Sequence, residues 1–140
     1  MSSWINAVSN PQALSEYDEI PSLSNIELMS IGYRQGLDCM DVYFSLCELP
    51  KRRSHRWPAD MNAISLSFEF WGDLKVSLST AAPFRDPLEV KCALQKHADG
   101  LITLECSGEG VNLALECTAA RVAHLAGYIR AVPGSKEATV

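Results

Sequence analysis

The fold of this chain is decided by residues 64–71, which read ISLSFEFW. Apolar side chains at the even-numbered positions alternate with Ser65, Ser67 and Glu69. A period of two residues is that of a β-strand, because successive side chains of a strand point to opposite faces of the sheet. One face of this strand is therefore predicted to lie in a dry core, and the other face to lie in polar surroundings.

The same alternation of apolar and polar residues occurs in five more segments, two before this stretch and three after it. These segments are residues 26–33, 40–46, 74–78, 88–95 and 111–117. The pattern slips at Met29–Ser30, where a β-bulge is predicted. Turn residues at Asp99–Gly100 and Gly108–Gly110 predict two hairpins. The chain is therefore predicted to be mostly β, an antiparallel meander that forms a sandwich or a curled, barrel-like sheet. Residues 74–78 are predicted to be a half-buried strand, with Leu74, Val76 and Leu78 on its buried face.

The two ends of the chain depart from this pattern. Asn10–Pro11 is a favourable N-cap and first-turn pair, and it predicts a short N-terminal helix at roughly residues 11–17. Residues 119–130 fit both a helical and a strand period, and a strand that ends near Tyr128 is preferred because no turn residue precedes it. We expect a single domain over residues 1–140, with an ordered core at about 4–130 and a frayed tail at 133–140.

Composition limits the class of protein. The 140 residues are 47% hydrophobic and 21% charged, which suffices for a packed core. The sequence has no apolar run of transmembrane length and no secretion signal at its start, so a cytoplasmic protein without a membrane partner is expected. The five cysteines are odd in number and lack a CxxC spacing, so they are expected to be reduced and mostly buried.

The formal charge of −5 is unevenly distributed along the chain. Residues 51–56 hold four of the 12 basic residues and no acidic residue. The rest of the chain is therefore strongly acidic, which disfavours binding to nucleic acid through phosphate contacts and favours attraction to a basic partner.

Sequence motifs for catalysis are missing. The chain has no GxSxG, P-loop, GxGxxG or HExxH motif, and its three histidines are far apart in unlike settings. No catalytic residue, cofactor site or metal site is predicted, and the chain is not expected to be an enzyme.

Two surfaces are candidates for contact with a partner protein. The first holds Asp41, Tyr43, Glu69 and Trp71, which are out of phase with the core residues of their strands. If these strands are neighbours, the four side chains form an acidic and aromatic patch that suits a basic partner. Trp71 has a second interpretation, in which it caps the core at the end of its strand.

The competing surface is the basic loop at residues 52–57, with Arg52, Arg53 and Trp57. It suits an acidic partner surface. Trp57 can be either an exposed contact or the anchor of this loop on the core.

The order and spacing of several segments resemble one known family. These segments are Trp4-Ile5, Asn10-Pro11, Ile20-Pro21-Ser22-Leu23, Glu48-Leu49-Pro50, the loop with Trp57, residues 64–75 and residues 120–128. Over roughly residues 4–130 the chain resembles the immunity protein 50 family of bacterial polymorphic toxin systems. The resemblance implies a mostly β, cytosolic protein, encoded beside a toxin that it binds and neutralises, without established catalytic residues.

Other functions stay open at this point. A β domain with a cavity between its sheets could bind a small molecule. A structural subunit would pair its exposed strand edges with neighbouring chains. The sequence does not distinguish a monomer from a homodimer.

Overall fold

The structure is a computed structural model that describes residues 4–50, 55–81 and 88–130. Two short 3₁₀ helices, Trp4–Ala7 and Pro11–Leu14, precede eight strands. The strands are β1 (Ile26–Arg34), β2 (Cys39–Leu46), β3 (Ala63–Trp71), β4 (Lys75–Thr80), β5 (Glu89–Lys96), β6 (Ile102–Gly108), β7 (Val111–Cys117) and β8 (Ala119–Tyr128).

All eight strands belong to one antiparallel sheet with the order β4-β7-β6-β5-β1-β2-β3-β8. The prediction of a mostly β, antiparallel protein is confirmed. Strands β1-β2-β3 and β5-β6-β7 are two meanders, which pair through Ile26 opposite Val90 and Glu27 opposite Glu89. The chain passes between the two halves after β3 and again after β7, so that β4 lies beside β7 and β8 lies beside β3.

The passage between the halves requires a glycine. Thr118 lies between β7 and β8, and its N–H donates to the carbonyl oxygen of Gly72 at 2.9 Å. Gly72 has a φ of +86°, and a Cβ at this position would collide with the side chain of Thr118. Only glycine fits both the left-handed backbone and the close approach of the two crossing segments.

Both halves of the sheet enclose a single apolar core. Its centre is Phe68, whose ring packs edge-on against Trp4 at 5.3 Å and Phe44 at 6.0 Å between centroids. The Trp4 indole N–H donates to the carbonyl oxygen of Pro21 at 2.7 Å. This bond fixes the N-terminal segment, residues 4–25, across the core.

The short helix predicted at roughly residues 11–17 is present, but it is shorter than expected. Only Pro11–Leu14 is helical, as a 3₁₀ turn, and Asn10 makes no side-chain cap. The Asn10 amide instead donates to the carbonyl oxygen of Val122 and accepts from its N–H, both at 2.8 Å. Because β8 is the last of the described strands in the sheet, this pair of bonds supplies a partner for its outer edge.

The prediction that Val76 and Leu78 lie on a buried strand face is wrong in burial, because both side chains are exposed, whereas Leu74 is partly buried against the core. Val76 faces Leu115 and Leu78 faces Leu113 across the β4–β7 pair, so they point to the core side of the sheet. They are nevertheless exposed, and β4 is an edge strand that has one neighbour, β7, among the described strands.

Other local predictions are confirmed. The register of β1 against β2 shifts between Leu28 and Ser30, where the bulge was expected. The two hairpins join β5 to β6 and β6 to β7, and residues 119–128 form a strand. The five cysteines are free, and three of them are buried. The tail at residues 133–140 lies outside the described residues.

Candidate functional site

Four of the predicted contact residues lie together on one face of the sheet, opposite the core. Asp41 of β2 is directly opposite Glu69 of β3, and the neighbouring pairs are Cys39 with Trp71 and Tyr43 with Ser67. Directly paired residues of neighbouring strands point to the same side of a sheet. We call this surface, formed by β1, β2, β3 and β8, the outer face.

Two arginines that the sequence analysis missed lie on the same face. Arg34 of β1 places its Nε 3.0 Å from Oδ2 of Asp41, and its Nη2 is paired with Glu69. Arg121 of β8 is opposite Glu69 in the strand register, and its Nε is paired with the second carboxylate oxygen of Glu69. Glu69 thus connects arginines from the two strands that flank the β2–β3 pair.

The ion pairs change the charge that this surface presents. The carboxylate side chains are 20% exposed for Asp41 and 19% for Glu69, whereas the arginine side chains are 42% exposed for Arg34 and 49% for Arg121. The acidic groups therefore lie beneath guanidinium groups. The prediction of an acidic patch is wrong in its charge, because the two carboxylates are matched by two arginines from neighbouring strands.

The arginines also act on the ionisation of Glu69. Its burial alone would raise its pKa, but the hydrogen bonds and charges of Arg34 and Arg121 outweigh burial and hold the pKa of Glu69 below its usual value. The hydrogen bond to Glu69 in turn raises the pKa of Arg34. Glu69 and Arg34 are therefore both charged at neutral pH.

One group of side chains in the described ranges has the composition of a metal site: Cys39, Asp41 and Glu69 bring their ligand atoms within 4.8 Å of one another. Nη2 of Arg34 hydrogen-bonds to all three, at 3.0 Å to Sγ of Cys39 and 3.1 Å to Oδ1 of Asp41. The guanidinium already supplies a positive charge at the position that a cation would need. We assign no metal to this cluster.

The next row of the outer face holds Tyr43, Ser67 and His124, which are aligned across β2, β3 and β8. Tyr43 is 40% exposed, whereas the Ser67 hydroxyl is buried and has no hydrogen-bond partner among the described residues. One row further on, the buried Ser45 hydroxyl is 2.6 Å from that of Tyr128. Adjacent rows of the outer face thus hold one buried hydroxyl with a hydrogen-bond partner, that of Ser45, and one without, that of Ser67.

The competing basic loop does not contribute to the outer face where it is described. Trp57 is half buried and packs against the core, next to Gly127 of β8. This position agrees with the interpretation of Trp57 as an anchor of the loop. Arg52 and Arg53 lie outside the described residues.

A separate cleft opens between the N-terminal segment and β5, with a volume of about 320 Å³. Its wall is mostly apolar and includes Trp4, Ile20, Pro21, Leu23, Cys92 and Leu94. This volume is close to the lower limit of small-molecule sites.

Comparison with known proteins adds no relative. No family model, no curated protein and no solved structure matches this chain. The resemblance to the immunity protein 50 family therefore stays a prediction. Within the described ranges, no helix has the length and apolar character needed to cross a bilayer.

Proposed function

We propose that this chain is a cytoplasmic immunity protein that binds a toxin domain through the outer face and thereby neutralises it. The family resemblance suggests the task. The observation that carries the choice of surface is the convergence of Arg34, Tyr43, Trp71 and Arg121 on one face of a rigid sheet. Arginine, tyrosine and tryptophan are the residue types that most often dominate the energy of protein interfaces.

The ion pairs support this choice because they orient the arginines before a partner arrives. A flexible arginine loses side-chain entropy when it is fixed in an interface, at about 0.5–1.5 kcal/mol for each immobilised side chain. Asp41 and Glu69 already hold the Nε atoms of Arg34 and Arg121. Less entropy is therefore lost on binding.

The net charge of the chain and the local charge of the outer face favour different features of the partner. The net charge of −5 favours long-range attraction to a basic domain. At contact distance, the exposed guanidinium groups donate hydrogen bonds and suit carboxylate or carbonyl oxygens. We therefore propose a toxin domain that is basic as a whole and presents hydrogen-bond acceptors at its contact surface.

Calorimetric titration against the toxin domain encoded beside this chain tests the proposal. Tyr43→Ala and Arg121→Ala should each weaken binding at least about tenfold, which corresponds to about 1.4 kcal/mol. The matched control is Tyr33→Ala, because Tyr33 is also exposed but faces Met40 on the core side of the sheet. Unchanged affinity in both outer-face variants would remove this surface from the proposal.

The second candidate function is the binding of a small apolar molecule, and the cleft beside β5 favours it. Its walls combine apolar side chains with two serines, Ser22 and Ser24. Native mass spectrometry of protein purified from its host distinguishes the two functions, since a retained ligand supports the cleft and a bare chain counts against it.

A further inference from the structure

Two cysteines face each other across neighbouring strands on the core side of the sheet. Cys92 of β5 is directly opposite Cys106 of β6. The N–H of Cys92 donates to the carbonyl oxygen of Leu23 at 2.8 Å, so it points away from β6. The two cysteines therefore form a non-hydrogen-bonded pair, in which the Cα atoms are about 4.5 Å apart and the side chains are closest.

This geometry is compatible with a disulfide bond. Disulfides join residues whose Cα atoms are about 4.4–6.8 Å apart and whose side chains point toward each other. The side chains of Cys92 and Cys106 lie on the same side of the two strands, because the residues are directly paired. Among the strand pairings of the described residues, no other cysteine faces a cysteine: Cys39 faces Arg34 and Trp71, and Cys117 faces Ile102.

We propose that Cys92 and Cys106 are a redox-controlled dithiol, which a small disulfide such as oxidised glutathione converts to an intramolecular disulfide. The thiolate of Cys92 attacks one sulfur of the reagent, and a glutathione thiolate leaves. The thiolate of Cys106 then attacks the Cys92 sulfur of this mixed disulfide and expels the second glutathione. Two protein thiols are oxidised, one glutathione disulfide is reduced to two thiols, and the two protons pass to the released glutathione.

The surroundings of the pair assign the order of these two steps. Cys92 is half buried and lines the cleft between the N-terminal segment and β5, which gives a reagent access. Cys106 is buried, so it attacks from within the core. The neighbouring Cys106 thiol and then burial raise the pKa of Cys92, so little of it is thiolate at neutral pH and its attack on the reagent is slow.

The disulfide would join β5 to β6 at the residue whose N–H also holds the N-terminal segment. A covalent link there restricts the unfolded chain, so the oxidised protein should unfold at a temperature several degrees higher than the reduced protein. This inference does not depend on the proposed function, because it concerns the chain alone.

Thiol mapping of the full chain tests the proposal. The reduced Cys47→Ser protein is treated with oxidised glutathione, quenched with acid, alkylated in denaturant and digested for mass spectrometry. The expected product is a linked pair of peptides that contain Cys92 and Cys106, with the loss of two hydrogen atoms, and a raised unfolding temperature that dithiothreitol reverses.

The unsubstituted chain controls for the reagent, because its exposed Cys47 must be glutathionylated in the same time. Two free thiols at Cys92 and Cys106 at that time would overturn the proposal, and so would a stable mixed disulfide on Cys92. Cys106→Ser should accumulate that mixed disulfide. If this variant does not fold, the peptide map of the Cys47→Ser protein decides alone.

Discussion

Glu69 pairs with both arginines of the outer face, and its replacement by glutamine gives the most informative test of the structure. Glu69→Gln keeps the size of the side chain and removes the charge that holds Arg34 and Arg121. A partly exposed ion pair contributes about 0.2–1 kcal/mol, and Glu69 makes two. The free energy of unfolding at neutral pH should therefore fall by about 0.5–2 kcal/mol.

The pH dependence of this loss follows from the ionisation of Glu69. Its pKa is lower in the folded than in the unfolded chain, because the hydrogen bonds of the two arginines outweigh burial. Its stabilisation is therefore fully present above the unfolded pKa and is lost as the pH falls through the folded pKa. The difference between the parent and Glu69→Gln should shrink as the pH decreases through the carboxyl range.

Urea denaturation followed by tryptophan fluorescence, at several pH values, measures both effects. The control is Glu105→Gln, since Glu105 is an exposed strand glutamate on β6 and its replacement should change stability by less than about 0.5 kcal/mol. The reasoning is refuted if Glu69→Gln is as stable as the parent at neutral pH, or if its deficit is the same at every pH.

Three further predictions concern single side chains, each measured by chemical denaturation. Ser67→Ala removes a buried hydroxyl without a described partner, so the free energy of unfolding should be unchanged or higher. Ser45→Ala loses the hydrogen bond to Tyr128 and should lower the free energy of unfolding by about 1 kcal/mol. Equal losses of stability in the two variants would contradict this. Gly72→Ala forces a side chain into a left-handed, crowded site and should cost about 1–3 kcal/mol, and a neutral result would contradict the crossing geometry. Asn10→Ala should cost about 1–2 kcal/mol and speed amide exchange at the outer edge of β8; unchanged exchange there would contradict the clamp.

The strands themselves were predictable because alternation is a local property. The side chains of residues 64–70 reveal which face is dry without any knowledge of neighbouring strands. The position of a strand in the sheet is not local. Val76 and Leu78 have the pattern of a half-buried strand, but β4 lies at the edge of the described sheet and all its residues are exposed. The alternation therefore predicted which side chains of β4 point to the core side of the sheet, but not how deeply they are buried.

The site was predictable only in part, for a related reason. Asp41 and Glu69 could be placed on one face from their phase in adjacent strands. The contribution of Arg121 depends on the pairing of β3 with β8 and on a register shift between Ser67 and Phe68, which brings Arg121 opposite Glu69. No sequence period contains that shift, so the charge of the surface could not be derived from the order of residues.

The N-terminal segment shows the same limit for a single residue. Asn10 followed by Pro11 has the composition of a helix start, and the helix was predicted on that ground. Its amide binds Val122 instead, which is more than a hundred residues away in the chain. A distant strand edge with free N–H and C=O groups outcompeted the local cap, which no local rule anticipates.

Growth of bacteria that produce a toxin domain from a gene adjacent to that of this chain tests the proposed function most directly. Cells that also produce this chain should grow, and so should cells with the Tyr33→Ala control. Cells with the combined Tyr43→Ala and Arg121→Ala variant should die although the variant folds and accumulates. Death of cells that contain the folded, unsubstituted chain would contradict the proposed function as a toxin antagonist.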